Sequence, residues 1–190
     1  MILFKHSLFA IFVLLSLVSS SCKTGVQPGD EADAKAAKML ARMTLDEKIG
    51  QMSQVFDGFF SDNEQFKQAI RDGRFGSMLN FFGAEKVNEA QRIAVEESRL
   101  GIPLLIGRDV IHGYRTIFPI PLGMAASWNP EAVKEAFRIS AVEASSQGIN
   151  WAFAPMIDIT WDPRWGRIAE GCGEDPYLAS TLAYAMVKGL

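Results

Sequence analysis

The sequence predicts an α/β fold with a parallel sheet, because short apolar segments alternate with longer helical patterns along the chain. Apolar segments of four to six residues lie at 76–81 (GSMLNF), 104–107 (LLIG) and 150–155 (NWAFAP). The helical patterns beside them are ten to eighteen residues long. Strands separated by helices of this length are typical of βαβ units. With 190 residues, the chain has about the length of one domain.

Two of the predicted helices have clear start signals. Thr44 is followed three residues later by Glu47, which is a capping-box pattern. Asn129 followed by Pro130 predicts another helix start, and Gly148 predicts the end of that helix. In chain order, the predicted helices cover 31–43, 44–52, 63–72, 85–99, 130–147 and the residues from about Tyr177 onward.

Composition and charge exclude several classes of protein. Hydrophobic residues make up 48% and charged residues 22% of the chain, as in ordinary globular proteins. The formal net charge of −3 argues against nucleic acid as a partner. The two cysteines give neither a disulfide framework nor a paired-cysteine zinc site. The sequence also lacks a glycine-rich phosphate loop and the GxSxG motif of serine hydrolases.

Residues 1–22 have the pattern of a secretory signal. Lys5 precedes an apolar run from Leu8 to Val18, and small serines follow that run. Cys22 stands directly after these serines, which resembles a bacterial lipoprotein signal in which that cysteine is acylated; simple cleavage is the alternative. Residues 23–30 (KTGVQPGD) are predicted to be a polar tether. We therefore expect a periplasmic or outer-membrane-associated protein, with membrane attachment through lipidated Cys22.

The first loop that carries candidate chemistry follows the segment 104–107. Asp109 stands just past this apolar strand, where a carboxylate has no packing purpose. It is predicted either to bind a ligand or to form a helix cap or an ion pair with Arg108. His112 in the same loop is expected to be a hydrogen-bonded structural residue and not a metal ligand, because the loop offers no partner ligands.

The second candidate loop covers 158–176 and holds five carboxylates, two arginines and two tryptophans. Such a mixture suits a neutral polyhydroxyl ligand, whose hydroxyls pair with charged groups and whose apolar face packs on an indole ring. The alternative is a loop held by its own ion pairs. Asp162 with Arg164 and the pair Glu174–Asp175 are predicted to be structural, and Arg167 is the predicted ligand contact. Cys172 is expected to be a small packed thiol.

At these loops the sequence resembles glycoside hydrolase family 3, and within it the periplasmic β-glucosidases. The matching stretches are MTLDEKIGQM (43–52), RLGIPLLIGRDVIHGYRTIFPIPLG (99–123) and NWAFAPMIDITWDPRWGRIAEGCGEDPYL (150–178). The resemblance implies that residues 31–190 are the N-terminal part of a (β/α)8 TIM-type barrel. It also implies that Asp109, Arg167 and Glu170 bind the terminal sugar of a β-linked oligosaccharide or glucoside.

The resemblance further implies a retaining hydrolase that removes terminal non-reducing β-D-glucosyl residues without a cofactor or a metal. The nucleophile and the acid/base of the family have no matching position up to Leu190 and are expected beyond it. The barrel is also expected to be incomplete in this chain, because about four strands are recognisable and a closed barrel has eight strands and about 250 residues. The alternative is a non-catalytic, surface-tethered sugar-binding domain.

Overall fold

The computed structural model describes residues 28–60 and 63–190. The predicted signal, Cys22 and most of the predicted tether therefore lie outside the described residues. Helix α1, Pro28–Arg42, belongs to one unit, and residues 43–190 form a second unit. Helix α1 begins before the predicted start at residue 31, because proline is well accommodated in the first turn of a helix, where its missing N–H has no partner.

Four short parallel strands form the sheet of the second unit, in the order β1-β2-β3-β4. Although about four strands are counted from the sequence, only three are located, and none of these lies at β1, because three residues close behind a helix carry too little pattern. The other three strands are confirmed, with shifted ends. The predicted strand at 150–155 is too long, since Pro155 has no N–H to donate to a neighbouring strand. The strands are Gln54–Phe56 (β1), Ser77–Leu79 (β2), Leu105–Arg108 (β3) and Trp151–Ala152 (β4).

A helix follows each strand, as the alternation predicts. Two details differ from the prediction: α4 continues as a π-helical turn at Ile93–Glu97, and the short, Gly- and Pro-containing α5 is not predicted. Among the described residues, none of the helices is long and apolar enough to span a membrane. The helices are α2 (Leu45–Gln51), α3 (Asn63–Arg71), α4 (Ala84–Arg92), α5 (Pro121–Ala125), α6 (Pro130–Ser145) and α7 (Pro176–Gly189).

The two faces of the sheet have different surroundings. Met78 and Ile106 are register partners, are at most 1% exposed, and lie in the core cluster with Ile70 of α3. Because successive side chains of a strand alternate between faces, Leu105 points to the opposite face, where it is 49% exposed. Trp151 of β4 is 39% exposed on that face. The helices therefore cover one face, and the opposite face stays largely open.

A second core cluster joins α5, α6 and α7. It includes Met124 of α5, Phe137 of α6 and Leu182 of α7, all of them buried. Gly189 lets α7 approach α6 closely, because a β-carbon there would lie 2.8 Å from Cβ of Phe137. This packing fixes α6 and α7, which precede and follow β4 in the chain. It therefore also fixes the C-terminal end of the loop that follows β4, where α7 begins.

Candidate functional site

The two loops that the sequence singles out begin at neighbouring strands. Asp109 directly follows β3, and residues 153–175 connect β4 to α7. Because β3 and β4 are parallel neighbours, both loops leave the same edge of the sheet. Binding sites of α/β proteins are built at this edge, where the strands end. The two loops that carry the predicted site residues therefore leave the sheet next to each other.

Arg167 and Glu170 form an ion pair with two hydrogen bonds in the second loop. Nε of Arg167 donates to Oε1 of Glu170 over 3.0 Å, and Nη2 donates to Oε2 over 2.5 Å. These bonds raise the pKa of Arg167 and lower the pKa of Glu170, so both groups stay charged in neutral water. The side chains are 54% and 30% exposed, which leaves the pair accessible to a ligand.

The carboxylates of two further residues act on Arg167. After the larger effect of Glu170, the charges of Asp158 and Asp109 also raise the pKa of Arg167. Charge effects between exposed groups fade beyond about 10 Å in ordinary salt. The structure therefore brings Asp109 of the first loop and Arg167 of the second loop into one electrostatic neighbourhood, as a shared site requires.

Asp109 has no structural partner among the described residues, since its carboxylate makes no hydrogen bond or ion pair there. Its neighbour Arg108 lies instead over the rings of Phe82 and Tyr114, with the guanidinium carbon 4.4 and 5.5 Å from the ring centroids. The alternative prediction of an Asp109–Arg108 ion pair is therefore wrong. An exposed carboxylate at the end of β3 is left available to a ligand.

The loop that carries Asp109 is closed by His112, as predicted for a structural histidine. The backbone N–H of Phe118 donates to the carbonyl oxygen of His112 over 2.8 Å, and Nδ1 of His112 lies 3.0 Å from the carbonyl oxygen of Phe118. An isolated β-bridge joins Gly113 to Ile117 inside this closure. Val110, directly after Asp109, is 1% exposed and anchors the start of the loop in the core.

Three of the four residues predicted to be structural in the second loop, Asp162, Arg164 and Asp175, are confirmed in that role. Asp162 accepts a hydrogen bond from the backbone N–H of Arg164 over 2.9 Å and forms an ion pair with the Arg164 side chain. Asp175 caps α7 by accepting from the backbone N–H of Leu178, also over 2.9 Å. Asp162 and Asp175 thus hold the loop, whereas the carboxylate of Glu174 makes no hydrogen bond or ion pair with the residues that the structure describes.

The two tryptophans of this loop leave indole surface in contact with solvent. Trp161 is 79% exposed and Trp165 is 43% exposed. Nε1 of Trp161 donates to the carbonyl oxygen of Glu174 over 3.1 Å, which fixes the indole by one edge. An exposed ring fixed in this way can pack on an apolar ligand face.

Cys172 is a packed thiol, as predicted. It is 4% exposed, and burial raises its pKa, which disfavours the reactive thiolate. In the parts of the chain that the structure describes, no group of three or more His, Cys, Asp or Glu side chains could hold a metal ion.

Sequence reasoning misses Glu143 of α6, which fastens the first loop. Its Oε2 accepts hydrogen bonds from the backbone N–H groups of Arg115 and Thr116, each over 2.8 Å, and its Oε1 accepts from the Thr116 hydroxyl over 2.6 Å. The only signal in the sequence is a lone charged residue within an apolar stretch of helix. That signal does not reveal a partner 27 residues away.

Comparison with known proteins identifies the family. The sequence matches the family model described as "Glycosyl hydrolase family 3 N terminal domain" over residues 44–190. The chain belongs to glycosyl hydrolase family 3. Its parallel sheet and surrounding helices are part of the TIM-barrel-like α/β domain of this family, as the sequence predicts.

Similar members of family 3 include proteins named β-glucosidases. The chain is 44% identical over 158 residues to the periplasmic beta-glucosidase of Salmonella typhimurium, a match that covers 83% of this chain and 21% of that protein. The structure of a beta-glucosidase from Listeria innocua in complex with isofagomine matches with a TM-score of 0.71 and 39% identity, over 82% of this chain and 22% of that chain.

A beta-glucosidase involved in saponin metabolism from intestinal bacteria matches with a TM-score of 0.65 and 47% identity, over 80% of this chain and 20% of that chain. The chain spans between 20% and 29% of the length of the similar curated relatives.

Proposed function

We propose that residues 43–190 carry the terminal-sugar site of an exported glycoside hydrolase that removes β-D-glucosyl residues from the non-reducing ends of oligosaccharides. Asp109, Arg167 and Glu170 bind the hydroxyls of that sugar. The observation that carries the proposal is the Arg167 guanidinium, which is held by Glu170 within the electrostatic reach of Asp109 where two neighbouring strands end.

The arrangement supplies both kinds of hydrogen-bonding group that a sugar hydroxyl needs. Glu170 occupies Nε and Nη2 of Arg167, whereas Nη1 donates no hydrogen bond to any residue that the structure describes. Nη1 is therefore available as a donor, and the carboxylate of Asp109 is available as an acceptor. Hydrogen bonds of this kind, in which one partner is charged, are about twice as strong as those between neutral groups.

The exposed indoles of Trp161 and Trp165 complete the recognition of a sugar ring. The axial C–H groups of a β-glucosyl ring form an apolar face, and an aromatic ring packs on such a face. Both indoles belong to the loop of Arg167, so polar and apolar contacts come from one segment of the chain.

The β-glucosyl specificity is supported by the similar proteins. The Salmonella relative is named a periplasmic beta-glucosidase, and the Listeria enzyme has been solved in complex with glucose and, as a mutant, with laminaribiose. Identities of 39–44% across about four fifths of this chain support the same class of substrate here.

The proposed reaction retains the configuration of the sugar through two carboxyl groups about 5–5.5 Å apart, one acting as the nucleophile and the other as the acid and base. The proposal places both groups outside these 190 residues, because the resemblance assigns the carboxylates of this chain to binding. The contribution of Asp109, Arg167 and Glu170 is then to hold the terminal ring in the shape that the transition state needs.

The proposal includes export and membrane attachment. Residues 1–22 have the pattern of a signal, and two similar proteins are named periplasmic, those of Salmonella typhimurium and Dickeya chrysanthemi. Acylation of Cys22 would attach the protein to a membrane surface that faces away from the cytoplasm. Stable attachment needs more than one acyl chain, since a single chain binds a membrane only marginally.

The test measures glucose binding to the purified 190-residue chain by titration calorimetry. We expect Asp109→Asn and Arg167→Gln to weaken binding by about tenfold or more, because each removes a charge-assisted hydrogen bond. Arg164→Gln is the matched control, since it removes the side-chain ion pair of an exposed arginine in the same loop but keeps the bond from its backbone N–H to Asp162 that holds the loop. The control should bind glucose with the affinity of the wild type.

Two results would contradict the proposal. Failure of the wild type to bind glucose, or an equal loss in the Arg164 control, would remove the assignment of the site. Hydrolysis of an aryl β-glucoside by the 190-residue chain would contradict the placement of the catalytic carboxyls elsewhere. In that case Asp109, Asp158, Glu170 and Glu174 are the residues to substitute next.

A further inference from the structure

The carboxylate of Asp109 is placed by its backbone, because no described side chain holds it. Its position therefore depends on how firmly the loop 109–118 is fixed. At the start of this loop, Val110 is anchored in the core. At its end, the closure between His112 and Phe118 joins the loop to itself. Tyr114 and Phe118 add apolar contacts with the two core clusters, but such contacts do not fix the direction of the backbone.

Glu143 supplies a hydrogen-bonded connection from the middle of this loop to a rigid element. It accepts three hydrogen bonds of 2.6–2.8 Å from Arg115 and Thr116, two of them from backbone N–H groups. Bonds to backbone N–H groups fix the path of the chain itself. The loop is thus tied to α6, the long helix that crosses over from β3 to β4.

The position of Glu143 on α6 makes this connection stiff. Ser140 and Ala144, one turn before it and directly after it, are buried at 2% and 4% exposure, so this part of the helix is fixed by packing. The hydroxyl and the backbone N–H of Thr116, with a further contribution from Arg115, lower the pKa of Glu143. The group that fastens the loop therefore carries a full negative charge in neutral water.

We infer that Glu143 is a positioning residue for the sugar site, which acts by holding the loop so that Asp109 meets the hydroxyls of the terminal sugar. The inference rests on the proposed function of Asp109. It adds a residue of α6 that touches no sugar and whose loss weakens binding only through Asp109.

The test compares glucose affinity in the 190-residue chain for Glu143→Ala, Glu143→Gln and the control Glu135→Ala. The control removes a carboxylate of the same helix that pairs with Arg138 on the surface. We expect Glu143→Ala to weaken binding about tenfold, because a mobile loop must be ordered when the sugar binds. Glu143→Gln keeps one oxygen acceptor, so a loss of about threefold is expected, and the control should stay within about twofold.

A double-mutant cycle separates positioning from general stability. In an Asp109→Asn background, Glu143→Ala should cause no further loss of affinity, because the residue that it positions is already disabled. Amide hydrogen exchange at Arg115 and Thr116 should accelerate in Glu143→Ala but not in the control.

Each outcome of these experiments either supports or overturns the inference. A wild type that binds no glucose removes the proposed function and this inference with it. A wild type that binds, with Glu143→Ala binding equally well, removes this inference alone. Losses that add fully in the double mutant show a merely structural residue and also overturn it. If Glu143→Ala fails to fold by circular dichroism, the same cycle with Glu143→Gln decides.

Discussion

Gly107 is the position at which one added methyl group should disturb the base of the proposed site. A β-carbon there would lie 2.6 Å from Cζ of Phe153. The Phe153 ring packs edge to face on Trp151 with centroids 4.7 Å apart, and its backbone N–H donates to the carbonyl oxygen of Arg108 over 3.0 Å. Gly107→Ala therefore pushes a ring that is tied to the residue directly before Asp109.

The expected cost follows from these contacts. Carbon atoms in ordinary contact lie about 3.5–4.0 Å apart, so the ring must retreat by about 1 Å. Its edge-to-face contact is worth about 0.5–1.5 kcal/mol, and overpacking costs about 1–3 kcal/mol. Phe153 is only half-buried, so its ring can give way. We therefore expect the free energy of unfolding to fall by about 1–2 kcal/mol, towards the lower end of the overpacking range.

Urea unfolding followed by circular dichroism measures this change, with Gly123→Ala as the control. A β-carbon at Gly123 would lie 3.3 Å from Cβ of Pro119, and the small adjustment is offset by the better helix propensity of alanine in α5. The control should stay within about 0.5 kcal/mol of the wild type. A Gly107→Ala variant as stable as the control would refute the packing of Phe153 over β3.

Three further predictions follow from other parts of the chain. Glu47→Gln should destabilise the protein near pH 7, because the hydrogen bond with Arg99 lowers the pKa of Glu47 from 4.5 to about 2. The difference in free energy of unfolding between the variant and the wild type, measured in urea, should therefore shrink as the pH falls from 4.5 to 2. A difference that stays constant over this range would contradict the prediction. In a Cys22→Ala background, Cys172 should react slowly with a thiol reagent until urea is added, and fast reaction in the folded chain would show that it is accessible. A palmitate analogue should label the wild type in cells and spare Cys22→Ala, and equal labelling would exclude acylation.

The local features of the fold could be predicted because their hydrogen bonds join residues close in the sequence. The capping box is confirmed by the bond from the Glu47 backbone N–H to Oγ1 of Thr44, at 3.2 Å, and by the return bond from Thr44 to Glu47. Asn129 likewise caps α6 by accepting from the backbone N–H of Ala132. Strand β1 and helix α5 could not be predicted, because three and five residues are too few to show a period.

The candidate site could be predicted only where the sequence pattern and the family resemblance coincide. Asp109 stands at the end of an apolar strand, and Arg167 lies in a loop dense in charge, so each is conspicuous alone. That their charges interact depends on β3 and β4 being neighbours. The hold of Glu143 on the loop of Asp109 depends in the same way on the fold, since no local pattern links a helix carboxylate to backbone N–H groups in another loop.

The most direct test of the sugar site is a crystal structure of this chain with glucose bound. The account predicts sugar hydroxyl oxygens within about 3 Å of both the Asp109 carboxylate and Nη1 of Arg167, with Glu170 still paired to the same guanidinium. Glucose bound away from the carboxyl ends of β3 and β4, or bound there without contact to Asp109 and Arg167, would contradict it.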